Sequence, residues 1–196
     1  DLWYWNWQFA GTGHPRLVVP ICKTIKERFE CNVAFHWYGS NGEVFGGGWR
    51  TPEIYPCNED IRSLLIAGVD ELHAAGIHCI PYLLTRTIRP EIKSFRDNDG
   101  LKWVCYNEKG EMSDVWRGGP TVCPTAPFFH EIIRKQVELM VASCHMDGAY
   151  LDQLSGCYPV VCFTPNHPHP PGGHDHWVKG YRELAEKVRK TMRPLN

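Results

Sequence analysis

Four stretches with helical periodicity each follow a short segment rich in aromatic or β-branched residues, and this strand–helix alternation restricts the chain to α/β architectures. The segments that read as strands are residues 2–7, 33–38, 77–83 and 148–152. Pro81 weighs against part of the third, because proline has no N–H to give to a ladder. The second helical segment has the clearest pattern. Ile61, Leu64, Leu65, Val69 and Leu72 form one apolar stripe, Asn58 stands at the cap, Glu59 and Asp60 occupy the first turn, and Gly76 ends it. The third starts near Thr125 with Pro127 in its first turn and aligns Phe129, Ile132, Ile133, Val137, Met140 and Val141. The fourth follows Asp175 and stripes Trp177, Tyr181, Leu184, Val188 and Met192. In the first, Val18, Ile21, Cys22, Ile25 and Phe29 have the right spacing, but Pro20 inside a helix costs about 3 kcal/mol, so the helix is expected to begin only there.

Strands that alternate with covering helices predict a parallel sheet joined by right-handed crossovers, either open and doubly wound or closed as a (β/α)8 barrel. No phosphate-cradling glycine motif opens a helix: Gly46, Gly47 and Gly48 follow no clean strand, and Gly172 and Gly173 sit in a Pro/His loop. The connections after strands are long, about 20 residues over 39–57, nearly 40 over 85–123 and about 20 over 153–174, whereas the returns from helix to strand are short. In barrels the loops after strands build the active site. A complete barrel takes about 250 residues, and only four units are visible in 196. The expected architecture is therefore α/β, four consecutive βα units of a (β/α)8 TIM-type barrel, a partial barrel forming one domain over residues 1–196. The start at Asp1, within a strand, suggests a piece excised from a longer protein.

Charge narrows the functions further. The 21 basic residues nearly balance 22 acidic ones, which leaves no field to gather nucleic acid or an anionic membrane. No apolar run approaches the roughly 20 residues needed to cross a bilayer. The nine cysteines are odd in number and form no Cys-x-x-Cys, so neither a disulfide framework nor a zinc ribbon is implied. Cys22, Cys79 and Cys144 fall within apolar patterns and read as small core residues.

The sharpest chemical candidate is Asp152. Alternation along a strand sends Gly148, Tyr150 and Asp152 to one face and Ala149 and Leu151 to the other, so that Asp152 enters the barrel mouth while the apolar pair meets helices. A carboxylate at the C-terminal end of a barrel strand reads as catalytic; its bland alternative is a cap for the loop that follows. Asp147, at the opposite rim, reads as a turn or salt link. Around the working end lie Trp3, Trp5, Trp7, His36, Trp37, Tyr38, Trp49, Tyr55, Tyr82 and Trp103, and about half of such aromatics are expected to be core. Aromatic faces bind the C–H side of sugar rings. Arg86 is a candidate to orient Asp152 or to bind a hydroxyl or carboxylate. The segment 166–176 holds four histidines. With Cys157 or Cys162 they could bind zinc or copper, but the preferred reading is a stiff loop beside Asp152, with His167 or His169 donating to substrate and no metal or other cofactor.

The Trp37-Tyr38 strand end, Tyr55-Pro56, Pro81-Tyr82, Cys123-Pro124, Tyr150-Leu151-Asp152-Gln153 and the 167–173 loop before Trp177 and Gly180-Tyr181-Arg182 resemble glycoside-hydrolase-like barrel domains of large bacterial proteins. More distantly the arrangement is similar to retaining α-glycosidase barrels, in which an Asp ending the fourth strand is the nucleophile and a carboxylate from a later strand is the acid/base. The resemblance implies a glycosidase with Asp152 as nucleophile or base, and an extracellular or periplasmic setting. The substrate-binding residues expected are Trp37, Tyr38, Tyr82, Arg86, Tyr150, Gln153, His167 and His169. The expected partners are a carbohydrate and the rest of the barrel, from the parent chain or by self-association, with no nucleic acid and no membrane. The rival readings are a carbohydrate-binding or scaffold barrel without chemistry, and a metal-dependent hydrolase built on residues 167–176.

Overall fold

The structure, a computed structural model, describes residues 2–5, 13–38, 59–113, 119–154, 156–173 and 175–193. Four strands, β1 (Leu2–Trp5), β2 (Val33–Trp37), β3 (Ile77–Leu84) and β4 (Tyr150–Asp152), form one parallel sheet in the order β1-β2-β3-β4. A doubly wound sheet reverses its strand order part-way. Here each new strand is added to the same growing edge, as expected of successive βα units. The helices α1 (Pro15–Phe29), α2 (Glu59–Ala74), α4 (Pro127–Cys144) and α5 (His176–Met192) follow the strands in the same sequence, α1 packing on α2, α2 on α4 and α4 on α5. The long β3–α4 connection contains the short helix α3 (Lys93–Asp97) and a 3-10 turn (Gly100–Trp103).

One core fills the space between sheet and helices. Val33, Phe35, Trp37, Ile77, Cys79 and Leu83 meet Val18, Leu65, Val69, Leu72, Ile133, Val137, Met140 and Leu184, and Ala149 and Leu151 pack against them. Cys22, Cys79 and Cys144 lie in this core, as their apolar surroundings predicted. The other strand face carries Trp3, His36, Tyr38, Tyr82, Tyr150 and Asp152, and on it the sheet curls. In a flat sheet the first and fourth strands lie about 14 Å apart, yet the rings of Trp3 on β1 and Tyr150 on β4 are 6.4 Å from centroid to centroid.

Two proline positions behave differently from expectation. Helix α1 starts at Pro15, not Pro20: Pro15 takes the first helical position, where its missing N–H is no loss, and His14 Nδ1 accepts from the Arg16 amide at 3.2 Å. Pro20 is then interior but exposed, so the carbonyl it leaves unpaired can be met by water. Pro81 belongs to β3 because it sits at the last rung with β2, opposite Trp37, while pairing with β4 begins at Tyr82. The ladder changes partner where proline cannot donate. The fourth strand is shorter than residues 148–152, spanning Tyr150–Asp152, although Asp147 N–H already bonds Cys79 O. Asn6, Trp7 and Asn58 lie outside the described residues.

Helix α5 closes on the turn before α4 through Gly180, where an added Cβ would lie 2.4 Å from Pro124 O. Gly180→Ala is expected to destabilise by about 1–3 kcal/mol through forced separation of these backbones, measured as a lower urea midpoint. A midpoint equal to the parent's would mean that α5 is free to shift.

Candidate active site at the strand ends

The period-two alternation of side chains determines which groups share the concave face. On it the His36 ring lies 4.2 Å from Tyr150, 5.5 Å from Trp3 and 5.9 Å from Tyr82, and Tyr38 meets Tyr82 edge-on at 4.7 Å. Trp3 and Tyr150 remain open, 51% and 38% exposed, whereas His36 is 3% exposed. Burial pushes the His36 ring down to about 4, so it is neutral at ordinary pH.

Asp152 is the last residue of β4, opposite Leu84, and its side chain lies on this same face. Its Oδ2 accepts from the Tyr82 hydroxyl at 2.5 Å. Burial, and then this bond, push the Tyr82 phenol well above its ordinary range, so Tyr82 stays a donor. The Asp152 backbone is pinned as well: its carbonyl accepts from Thr85 Oγ1 at 2.5 Å and from Thr85 N–H at 3.2 Å, and Tyr181 Oη donates to Thr85 O at 3.0 Å. The carboxylate is thus fixed from main chain and side chain and half-buried. Gln153, next in sequence, turns through φ 63° into the loop. Asp147, at the other end, is a salt link: it accepts from Cys79 N–H at 2.7 Å and faces His73 at 2.8 Å and His78 at 3.3 Å. Burial alone would raise its carboxyl, but these partners outweigh it and hold the group low.

Among the expected substrate-binding residues, Tyr38, Tyr82 and Tyr150 share the concave face with Asp152. Trp37 does not. It has the parity of Phe35, is 0% exposed in the helix-side core, and donates Nε1–H to Gly13 O at 2.7 Å. Arg86 is also 0% exposed; its guanidinium lies 5.3 Å from the Tyr158 ring and 5.0 Å from the Trp177 ring, towards α5. It therefore packs against the helix layer rather than orienting Asp152, and its three nitrogens have no hydrogen-bond partner among the described residues. His167 and His169 do not face the carboxylate. They turn onto Cys162 and Cys123, each with a ring nitrogen 3.4 Å from sulfur. His176 bonds Gly173 O and stacks on the His169 ring at 4.2 Å, and His174 lies outside the described residues. Trp3 and His36 are the members of the aromatic group that parity could have singled out, since they alternate in step with Tyr82 and Tyr150.

Residues 1–195 match the family described as Domain of unknown function (DUF6259). The chain belongs to the DUF6259 family. This DUF6259 domain is 25% identical over 199 residues to "Putative glycoside hydrolase 22789" of Monosiga brevicollis, covering 93% of the chain but only 17% of that protein. Its fold is that of glycosidase domains. It overlays a GH36 α-galactosidase, AgaA of Geobacillus stearothermophilus, in complex with 1-deoxygalactonojirimycin, with a TM-score of 0.71 at 12% identity over 97% of the chain and 26% of the enzyme. The α-galactosidase TtGalA of Thermus thermophilus gives 0.64 at 13% identity over 97% and 36%. The α-N-acetylgalactosaminidase NagBb of Bifidobacterium bifidum gives 0.64 at 18% identity over 89% and 29%. The DUF6259 chain is glycoside-hydrolase-like, and spans well under half the length of each of these proteins.

The depressed His36 value has a definite sign in stability. Above pH 6.5 the ring is neutral whether folded or unfolded and its contribution is complete; as pH falls the unfolded chain binds the proton first, and stability is lost between about 6.5 and 4. The loss attributable to this ring is expected to be about 3 kcal/mol. His36→Phe should flatten the fall in urea stability across that window, and parallel pH profiles for parent and variant would refute the assignment.

Proposed function

We propose that residues 1–196 are the first four βα units of a TIM-type glycoside hydrolase barrel, and that Asp152 is the nucleophile of a retaining reaction on a terminal α-linked sugar. The observation that carries this reading is the site of Asp152: the end of the fourth consecutive parallel strand, on the face away from the helices, with one oxygen held by Tyr82 at 2.5 Å. The α-galactosidase and α-N-acetylgalactosaminidase folds support the choice of α-galactosides as the first substrate class to test.

In this scheme the Tyr82 bond to Oδ2 aims Oδ1 at the anomeric carbon. Bond formation to Oδ1 accompanies cleavage of the glycosidic C–O bond, and the leaving oxygen takes a proton from a second carboxylic acid. Water then gives its proton back to that group and its oxygen to the anomeric carbon, releasing the sugar and freeing Asp152. The open faces of Trp3 and Tyr150 would stack on the C–H side of the ring. The acid/base is assigned to the later strands. Asp175 is tied to Lys179 at the start of α5, and Asp114 lies outside the described residues. Strand β1 pairs only with β2, and β4 only with β3, among the described residues. Two such open edges favour completion by the rest of the parent chain.

Asp152→Ala in the full-length parent protein is expected to lower kcat on p-nitrophenyl α-galactoside by more than about 10³-fold. Added azide should restore turnover and yield the β-galactosyl azide, because the cavity left by Asp152 admits an external nucleophile on its face of the ring. Unchanged kcat in the variant would exclude Asp152 as nucleophile. Wild-type protein that binds galactosides but turns none over would favour the sugar-binding reading. Tyr82→Phe should cost about 10–100-fold in kcat with little change in KM, as expected for removal of one charge-assisted hydrogen bond of about 1.5–3 kcal/mol.

A further inference from the structure

Two consecutive strand-to-helix loops meet at a cluster of sulfur and imidazole that the proposed reaction does not use. Cys123 closes the β3–α4 loop, and Cys162, His167 and His169 belong to the β4–α5 loop. The four donor atoms, one from each residue, lie within 4.8 Å of one another. Cys123 and Cys162 are fully buried, His167 is 9% exposed, and His169 stands at the rim.

Both rings are oriented for ligation. His167 Nε2 sits 2.7 Å from Lys102 O and His169 Nδ1 sits 3.0 Å from Pro170 O. A carbonyl only accepts, so the far nitrogen of each ring carries a hydrogen, and the nitrogen facing sulfur is the one that can offer a lone pair. A ligating histidine whose other N–H is tethered to a backbone carbonyl is the usual outer-shell arrangement of zinc sites. The spacing also fits. Tetrahedral zinc with bonds of about 2.3 Å to sulfur and about 2.0–2.1 Å to nitrogen requires S···N edges of about 3.6 Å; two of the four S···N edges, Cys123–His169 and Cys162–His167, are 3.4 Å, and all the donor atoms lie within 4.8 Å of one another.

We propose that Cys123, Cys162, His167 and His169 bind one zinc ion as a closed structural site that staples the β3–α4 loop to the β4–α5 loop. On binding, the Cys123 and Cys162 thiols each release a proton to solvent, and two neutral imidazoles complete the set. Two thiolates cancel the charge of Zn2+, so the buried centre is neutral, which is the least costly charge state in an apolar site. Cys105, packed against both sulfurs, remains a thiol. Four protein ligands leave no open position for water, which sets this site apart from a hydrolytic metal centre. Residues 104–106 join the same staple through Thr164, whose hydroxyl donates to Val104 O at 2.6 Å and accepts from Tyr106 N–H at 3.1 Å.

The test is metal analysis of the full-length parent protein, purified under reducing conditions without chelator and then dialysed with Zn2+. About one zinc per chain is expected at this site, with loss of that equivalent in Cys123→Ser and Cys162→Ser and none lost in the control Cys31→Ser. Replacement by Co2+ should give the intense visible bands of a tetrahedral ion together with thiolate-to-metal charge transfer, both absent from Cys162→Ser. Should the serine variants fail to fold, His169→Asn at the rim and chelation of the wild type decide instead: each is expected to increase protease cleavage within residues 153–173 several-fold, and re-added zinc should reverse the effect of the chelator. No Zn2+ or Co2+ bound by wild type, zinc content equal in wild type and His169→Asn, or a Cys123–Cys162 disulfide in alkylated protein would each overturn the proposal. None of these readouts depends on glycosidase activity.

Discussion

The curl of the sheet is the constraint on which the rest of the site depends. Four parallel strands added in order present two faces, and the helices take one of them. The other is bent inward until rings from the first and fourth strands nearly touch, with Trp3 and Tyr150 6.4 Å apart across two intervening strands. Bending crowds His36, Tyr82 and Tyr150 into a shared apolar layer, and that layer desolvates what lies within it. His36 loses its basicity there, and Tyr82 keeps its proton, which makes it a dependable donor to Asp152. A flat sheet of the same sequence would leave these groups in water, with ordinary acidities and no reason to converge.

Asp152 stands where this layer meets the loops, and the loops bind back onto the strands at the same point. Thr85 ties the Asp152 carbonyl to the end of β3, and Tyr181 of α5 fixes Thr85 in turn. The long β3–α4 connection is not a slack excursion: Val122 N–H returns to Arg86 O and Cys123 N–H to Trp103 O, while antiparallel bridges join Thr87 to Thr121 and Val104 to Val122. Order in the loops is what gives a carboxylate at a strand end a defined direction. The Cys123–His169 contact links the β3–α4 loop to the β4–α5 loop as well.

The fold was legible because its signals are periodic. The stripes of α2, α4 and α5 and the parity of Gly148, Tyr150 and Asp152 are local patterns, and local patterns survive without knowledge of neighbours. The two prolines misled, each for a reason visible only in three dimensions: Pro20 is exposed, and Pro81 falls where the ladder changes partner. The site was legible where parity reached it. Parity also had the means to exclude Trp37, since Trp37 and Tyr38 cannot point to the same side of one strand, and reading them as a pair was the error. Arg86, His167 and His169 lie beyond the strand ends, where no period operates, and loop closure decided their neighbours. Cys123 and Cys105 were missed for the same reason, being separated from Cys162 by a strand, a helix and most of a loop.

Two features of the four units look outward. The edges of β1 and β4 carry backbone groups without a strand partner among the described residues, and an unprotected parallel edge is a poor end for a soluble sheet. The Arg86 guanidinium is buried between two rings with its nitrogens unpaired among those residues. Ring faces recover only part of what a buried cation loses on leaving water, since contacts of this kind are worth about 0.5–2 kcal/mol against a desolvation penalty of several kcal/mol. In the proposed barrel, later strands would pair with the two edges. The chemistry proposed for Asp152 makes the same demand, because glycoside cleavage requires a second carboxyl group. The sheet edges and the proposed reaction both call for the later strands of a barrel.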